Sequence, residues 1–168
     1  MKPSRNALLA YAIAAMVLLA DQASKFWVLE VLHLEEDGPV EVLPFFQLHM
    51  VWNQGVSFGL FRAGTDVMRW LLVAFSVGVV CLLIWWAARQ ARRLPSIALG
   101  LIIGGAIGNN FIDRVRFGAV ADFLDFGGLH FPWVFNVADS AISVGVVLLL
   151  LDSLLHRDDK AGPGAAGA

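Results

Sequence analysis

Two aspartates in apolar surroundings, Asp122 and Asp139, could do acid and base chemistry together. Two carboxyl groups a few ångströms apart resist double ionisation, so such a pair tends to hold one proton. One member can then act as a base toward water while the other acts as an acid toward a peptide carbonyl. The residue types leave open which aspartate carries the proton. For either residue alone, a helix cap or a buried polar contact is the competing interpretation.

The elements that must position these residues are predicted to be membrane-spanning helices. The chain has 168 residues, of which 58% are apolar and 15% charged, and its mean hydropathy is +0.71. A spanning helix needs roughly 20 apolar residues. Four stretches meet this requirement, namely 7–29, 67–88, 94–112 and 134–155. We therefore predict an all-α integral membrane protein, a bundle of four transmembrane helices that forms a single domain over 1–168.

The charges between the predicted spans indicate their orientation. Lysine and arginine are more frequent at one set of helix ends, and the positive-inside rule places these ends and both termini in the cytoplasm. The outer segments then cover 30–66 and 113–133. In the first, Leu48, Met50 and Trp52 alternate with more polar neighbours, which predicts a small extracytoplasmic segment containing β-strands. The tail 158–168, rich in alanine and glycine, is predicted to be disordered.

Polar side chains inside the predicted spans are functional candidates, because burying them in lipid is costly. They gather at the outer ends of the helices: Asp21, Lys25, Asn109, Asn110, Asp113, Arg114, Asn136 and Asp139. Asp21 and Lys25 are four residues apart, so they share one helical face and can form an ion pair, with a structural clamp as the simpler interpretation. No charge lies near the midpoint of a span, which argues against an ion channel.

Several other functions compete with an aspartate pair. Lys25 could serve as a general base for a serine, although Ser57 or Ser140 would have to reach it. A hydrolytic metal site is disfavoured, because the histidines lack the spacing of ligands. They are His33, His49, His130 and His156. A small transport or scaffold protein is the non-enzymatic alternative, although the two halves of the chain share no repeat. The formal net charge of -2 provides no basic face for nucleic acid.

Five short motifs carry a resemblance to a known family. They are Asp21-Gln-Ala-Ser-Lys25, Asn53-Gln-Gly55-Val-Ser-Phe58, Gly104-Gly-Ala-Ile-Gly-Asn-Asn-Phe-Ile-Asp113-Arg114, Phe117-Gly-Ala-Val-Ala-Asp122-Phe123 and Phe135-Asn136-Val-Ala-Asp139-Ser-Ala. Through them the chain resembles lipoprotein signal peptidase, also called signal peptidase II, over nearly its whole length. The resemblance implies a bacterial cell (inner) membrane protein with four spans, cytoplasmic termini and a site near the outer leaflet.

The resemblance also implies a reaction and a substrate. Asp122 and Asp139 would be the catalytic pair of an aspartic endopeptidase. The implied substrate is a prolipoprotein whose cysteine already carries diacylglycerol, and the cut falls on the amino side of that cysteine. No metal or organic cofactor is implied, and the partners are this substrate and membrane lipid. We expect the protein to act as a monomer.

Supporting roles follow from the same motifs. Asn53, Gly55, Arg114 and Asn136 match positions that line the family's site, whereas Asp21, Lys25 and Asp113 match structural ones. The third motif departs from the family pattern in one respect. In the family, an asparagine directly follows a glycine and lies three residues before the aspartate. Here Gly108 is followed by two asparagines. Asn109 directly follows the glycine, whereas Asn110 has the three-residue spacing to Asp113. The sequence therefore leaves open which of them faces the site.

Overall fold

The computed structural model describes residues 4–56, 61–62 and 66–156. Within them, the helices are α1 (Arg5–Phe26), α2 (Leu34–Asp37), α3 (Asp66–Ala87), α4 (Arg93–Ala106), α5 (Arg114–Arg116) and α6 (Val137–Leu155). The strands are β1 (Val40–Leu43), β2 (Phe46–Asn53), β3 (Gly55–Val56), β4 (Phe61–Arg62), β5 (Val120–Asp125) and β6 (Val134–Phe135). Four helical segments of the described chain are long and apolar enough to cross a membrane. The tail predicted to be disordered, 158–168, lies outside the described residues.

Two of the four long helical segments contain a π-turn, in which a residue bonds five positions along the chain instead of four. One π-turn, Trp27–Val31, continues α1, and the other, Ile107–Asp113, joins α4 to α5. The third long helical segment therefore runs to Arg116, past residue 112, where the predicted span ended. Positions 30 and 113, where the outer segments were predicted to begin, are still helical.

The fourth long helix begins later than predicted. Residues 134 and 135 form the short strand β6, which pairs with β5, and α6 starts only at Val137. Asn136 is the N-cap in an extended conformation, and its side chain accepts a hydrogen bond from the backbone of Asp139. Apolar content alone predicted a helix from 134, but the cap fixes the start because asparagine satisfies backbone N–H groups that lack helical partners.

Helix α4 is the centre of the bundle. In the most apolar 18-residue stretch of its segment, 61% is buried inside the protein. The corresponding stretches of the other three segments are 22% buried or less. Glycines allow this position: a Cβ on Gly104 would lie 2.5 Å from the carbonyl oxygen of Ala14 in α1. On the opposite side, a Cβ on Gly105 would lie 2.6 Å from the carbonyl oxygen of Ala138 in α6. Small residues thus bring the backbones of α1 and α6 into contact with α4, as in close helix pairs in membranes.

A four-stranded antiparallel sheet covers one end of the bundle, in the order β1-β2-β5-β6. Strand β5 is central, with Val51 of β2 opposite Asp122 and Phe135 of β6 opposite Leu124. A second, two-stranded sheet pairs β3 with β4. The larger sheet has an apolar core of its own, formed by Val28, Leu34, Leu48 and Phe123. This core fixes β5, and therefore Asp122, against the end of α1.

Candidate active site

Asp122 lies in the middle of β5, and its side chain is buried. Its Oδ2 accepts a hydrogen bond of 3.1 Å from the Nδ2 of Asn53, at the end of β2. Its Oδ1 accepts one of 2.7 Å from the Nδ2 of Asn136. Both oxygens of the carboxyl group are therefore held by amide donors, so the sheet and the start of α6 together fix its orientation.

Asp139 lies in the first turn of α6, where it forms a capping box with Asn136. The Asp139 backbone N–H donates to Oδ1 of Asn136 at 3.0 Å, and the Asn136 N–H donates to Oδ2 of Asp139 at 3.3 Å. Oδ1 of Asp139 accepts a third bond, 2.8 Å long, from Nδ2 of Asn109. Because Asn136 also binds Asp122, a single asparagine connects the two aspartates that the sequence singled out.

The electrostatics of the pair favour one retained proton. Burial, followed by the negative charge of Asp139, raises the pKa of the Asp122 carboxyl from 3.8 to about 7. The hydrogen bond from Asn53, the charge of Lys25 and the hydrogen bond from Asn136 act in the opposite direction but do not cancel the effect. A carboxyl group with such a pKa can donate a proton near neutral pH, which ordinary surface aspartates cannot do.

A buried lysine organises the residues behind the pair. The Nζ of Lys25 lies 2.8 Å from Oδ2 of Asp21, 2.7 Å from Oδ2 of Asp113 and 2.7 Å from Oδ1 of Asn109. The lysine side chain is 2% exposed and the two carboxylates are 0% exposed. The ion pair predicted from the four-residue spacing is therefore present, and it is extended by a second carboxylate from the π-turn.

The two carboxylates bound to Lys25 also bind backbone near the site. Oδ1 of Asp21 accepts a 3.1 Å hydrogen bond from the N–H of Ala138, in the first turn of α6. Oδ2 of Asp113 accepts one of 3.2 Å from the N–H of Ala121, next to Asp122. Since these contacts tie α1 and the π-turn to both elements that carry the pair, they fit the structural role expected of Asp21, Lys25 and Asp113.

The structure distinguishes the two adjacent asparagines of the third motif. Asn109 is buried and contacts both Lys25 and Asp139, whereas Asn110 is half-buried and lies outside this set of hydrogen bonds. The π-turn is responsible, since its wider turn changes which residues share a helical face. Position 108 has no room for a side chain, because a Cβ on Gly108 would lie 2.5 Å from Oδ2 of Asp21.

Arg114 and Gly55 form the edge of the site. Nη2 of Arg114 donates to the backbone oxygen of Gly55 at 3.4 Å, and the Gly55 N–H donates to Oδ1 of Asn53 at 3.1 Å. The arginine is buried, yet its Nε and Nη1 have no hydrogen-bond partner among the described residues. Buried donors without partners are costly. They are consistent with a site in which a bound molecule supplies the missing acceptor.

One residue of the network has no role in the sequence interpretation. Nε2 of Gln22 donates to Oδ2 of Asp21 at 3.0 Å and to Oδ1 of Asp113 at 3.1 Å. Gln22 therefore joins α1 to the π-turn beside Lys25. Its position next to Asp21 in the first motif was the only signal available, because a glutamine at a helix end has many possible contacts.

The competing interpretation of Lys25 as a base for Ser140 finds no support in the described part of the chain. Lys25 is occupied by Asp21, Asp113 and Asn109, and the Oγ of Ser140 donates to the backbone oxygen of Asn136 instead. Ser57 lies outside the described residues. In 4–56, 61–62 and 66–156, no three histidine, cysteine, aspartate or glutamate side chains are grouped to hold a metal ion.

Known proteins resemble this chain over most of its length. Residues 13–155 match the family described as signal peptidase (SPase) II. The lipoprotein signal peptidase of Caulobacter vibrioides is 52% identical over 157 residues, which cover 94% of this chain and 93% of the relative. That of Nitrobacter hamburgensis is 48% identical over 168 residues, covering 97% of this chain and 100% of the relative.

Two solved structures, each described as a bacterial membrane enzyme structure obtained by the in meso method, have similar folds. One has a TM-score of 0.75 and covers 95% of this chain and 93% of its own, but at 23% identity the likeness concerns the fold alone. The other has a TM-score of 0.74 at 27% identity and covers 86% of this chain and 92% of its own. The family match over 13–155 and the relative with 52% identity show that the chain belongs to the signal peptidase II family.

Proposed function

We propose that this protein is an aspartic endopeptidase that removes signal peptides from prolipoproteins whose cysteine carries diacylglycerol, cutting on the amino side of that cysteine. The observation that carries the proposal is the connection of Asp122 and Asp139 through Asn136 in one buried site. The family match and the relatives named lipoprotein signal peptidase support it. Asp122 and Asp139 are the catalytic residues in this proposal.

The proposed reaction uses the shared proton of the pair. The ionised carboxylate takes a proton from water while the water oxygen attacks the scissile carbonyl carbon. The protonated carboxyl group gives its proton to the carbonyl oxygen, which forms a tetrahedral intermediate. The C–N bond then breaks, and the leaving amine takes a proton from the first carboxyl group. The second carboxylate recovers its proton from the intermediate, so the pair returns to its starting state.

The residues around the pair have supporting roles in the proposal. Asn53 and Asn136 hold the Asp122 carboxyl group in position through both of its oxygens. Gly55 and Arg114 line the entrance, where the unpartnered N–H groups of Arg114 offer donors to a substrate carbonyl. An N–H donor aimed at an oxygen that gains negative charge lowers the barrier to attack. No cofactor is needed for any of these steps.

We further propose that all four long helices cross the bacterial inner membrane, with both termini in the cytoplasm and the site toward the outer leaflet. Four exposed arginines, Arg5, Arg89, Arg92 and Arg93, lie at the proposed inner end, whereas Arg116 is exposed at the other end. At the other end Lys25 and Arg114 are buried in the protein, so they add little to the surface charge. This asymmetry favours the orientation by the positive-inside rule.

The membrane has a role in substrate choice in this proposal. Helix α3 exposes large apolar side chains, including Trp70, Leu71 and Phe75, as expected of a face in contact with acyl chains. The two acyl chains of a lipidated prolipoprotein can remain in the bilayer while its peptide reaches the site. A single chain contains every residue of the proposed site, so the protein is proposed to act as a monomer.

The test is cleavage of one prolipoprotein in two forms, with and without its diacylglyceryl group, by the purified protein in detergent. Release of the signal peptide is followed by gel shift. We expect cleavage of the lipidated form and little or none of the other. Equal cleavage of both forms would contradict the lipid requirement, and cleavage of neither would favour a transport or scaffold protein.

A further inference from the structure

Asn109 lies between a cation and a carboxylate, and only one orientation of its amide group suits both. An ammonium group can only donate hydrogen bonds. The amide atom 2.7 Å from Nζ of Lys25 must therefore be the oxygen. The amide nitrogen then faces Oδ1 of Asp139 at 2.8 Å and has to donate to it. A flipped amide would place two donors against each other at the lysine and two acceptors against each other at the aspartate.

Lys25 is itself fixed in place, so the orientation of Asn109 is set by the bundle. Asp21 from α1 and Asp113 from the π-turn bind Nζ, and all three groups are buried. Gln22 bridges the two carboxylates from the side. The lysine thus has a defined position, and the asparagine transmits that position to Asp139.

The hydrogen bonds and the helix position of Asp139 favour its ionised form. Both of its oxygens accept hydrogen bonds, from the Asn109 side chain and from the Asn136 backbone. It also lies in the first turn of α6, a helix of 19 residues, where the partial positive charge of the helix end favours an anion. Asp122 has two amide donors as well, but it lies in a strand and not in the first turn of a helix.

Other charged groups near the pair act on it without a direct hydrogen bond. They are Lys25 and Asp21 from α1 and Arg114 from α5. Lys25 and Asp21 oppose each other as an ion pair, and Asp113 binds the same lysine. Arg114 directs its one bonded nitrogen to the backbone of Gly55 and not to either catalytic carboxyl group. The contact through Asn109 is therefore the direct connection between a cation and the pair.

We infer that Lys25, acting through Asn109, positions Asp139 as the ionised member of the pair, so Asp139 is the base toward water and Asp122 is the acid toward the carbonyl oxygen. Lys25 and Asn109 are positioning residues in this assignment, which rests on the proposed peptidase function. Asp139 takes the proton of the attacking water and later gives it to the leaving amine. Asp122 gives its proton to the carbonyl oxygen and recovers it when the C–N bond breaks.

The test compares Asn109→Leu with Asn110→Leu, its neighbour outside the network, in the purified full-length protein. The pH dependence of kcat/KM is measured with a lipidated prolipoprotein. In Asn109→Leu the carboxylate of Asp139 loses a donor, so we expect the acid limb of the profile to move up by about one pH unit. The basic limb should stay where it is, and Asn110→Leu should keep both limbs of the wild-type profile.

A second variant, Asn109→Asp, replaces the amide by a carboxyl group of nearly the same size. It tests the assignment if circular dichroism shows that the leucine variant does not fold. Its carboxylate can still bind Lys25 but, when ionised, cannot donate to Asp139. The acid limb should move up at least as far as in the leucine variant, because the new charge also repels Asp139.

Two results would overturn the assignment. A loss of kcat/KM that is equal at every pH would make Asn109 merely structural, and a shift of the basic limb alone would exchange the roles of the two aspartates. The proposed function fails separately, namely if the wild-type protein does not cleave the lipidated prolipoprotein. Cleavage by the wild type with an unshifted acid limb in both Asn109 variants contradicts this inference alone.

Discussion

At the scale of single residues, Asn136 explains how two distant parts of the sequence form one site. Its Oδ1 accepts from the backbone of Asp139, and its Nδ2 donates to Oδ1 of Asp122 and to the backbone oxygen of Ala121. Together these contacts fix the orientation of the Asn136 side-chain amide. The sequence predicted that the two aspartates could meet, but it could not predict this bridge, because the role of an asparagine depends on which groups surround it.

The pKa of Asp122 gives a prediction about pH. Because this carboxyl group stays protonated up to about pH 7, we expect kcat/KM to fall by about tenfold per pH unit above that value, as the acid loses its proton. The bond from Asn53 lowers the pKa of Asp122, so Asn53→Ala should raise that pKa and move the basic limb to higher pH. A pH profile of cleavage by both proteins checks this, and a basic limb that moves to lower pH in the variant would contradict it.

The sequence could not decide which of Asn109 and Asn110 faces the site. Family spacing supported both asparagines, and regular helix geometry could not separate them. The π-turn at Ile107–Asp113 selects Asn109, because it shifts the helical phase just before the site. No local pattern in the sequence predicts this π-turn, whose Asn109 and Asp113 both bind Lys25 of α1.

At the scale of elements, long helices were easier to predict than strands. In lipid every backbone polar group must be satisfied within the protein, so spanning helices require long apolar stretches that are visible in the sequence. Strand β5 has no such signal, because its residues Val120–Asp125 do not alternate and its partner β2 lies about 70 residues earlier. The start of α6 was missed for a related reason, since Val134 and Phe135 are apolar but pair with β5.

The close approach of α4 to α1 leads to a stability prediction. A methyl group at Gly104 would lie 2.5 Å from the carbonyl oxygen of Ala14, so Gly104→Ala should force the helices apart and destabilise the protein by about 1–3 kcal/mol. Gly78→Ala in α3 is the matched control, because no atom of another described element lies within 4 Å of its added Cβ. Thermal unfolding in detergent should show a lower midpoint for Gly104→Ala only. Equal midpoints for the two variants would contradict the packing described for α4.

At the scale of the whole molecule, the polar network lies at one end of the bundle, and most of the exposed arginines of the described chain lie at the other. Asp21, Lys25 and Asp113 are buried beside the sheet, whereas Arg5, Arg89 and Arg93 are exposed at the opposite helix ends. Hydropathy and charge bias predicted this polarity from the sequence, because both depend on composition along the chain. The arrangement of the helices around α4 could not be predicted, because it depends on which glycine faces which neighbour.

The proposed orientation can be tested by labelling in spheroplasts. Single cysteines are introduced as Glu36→Cys in α2 and Ala91→Cys between α3 and α4, both exposed positions, in a background with Cys81→Ala. We expect a membrane-impermeant maleimide to label position 36 in intact spheroplasts, and position 91 only after permeabilisation. The reverse pattern would place the site at the cytoplasmic side and contradict the proposed topology.

The central claim is that Asp122 and Asp139 together cleave the substrate, and the most direct measurement is cleavage of a lipidated prolipoprotein by Asp122→Asn and Asp139→Asn. Asp125→Asn is the control, since Asp125 lies on the same strand but binds Gln47 and Gly127 instead. We predict that each catalytic variant stays folded and loses about 10³-fold or more in kcat, while Asp125→Asn cleaves within a few fold of wild type. Near wild-type cleavage by either folded catalytic variant would contradict the claim.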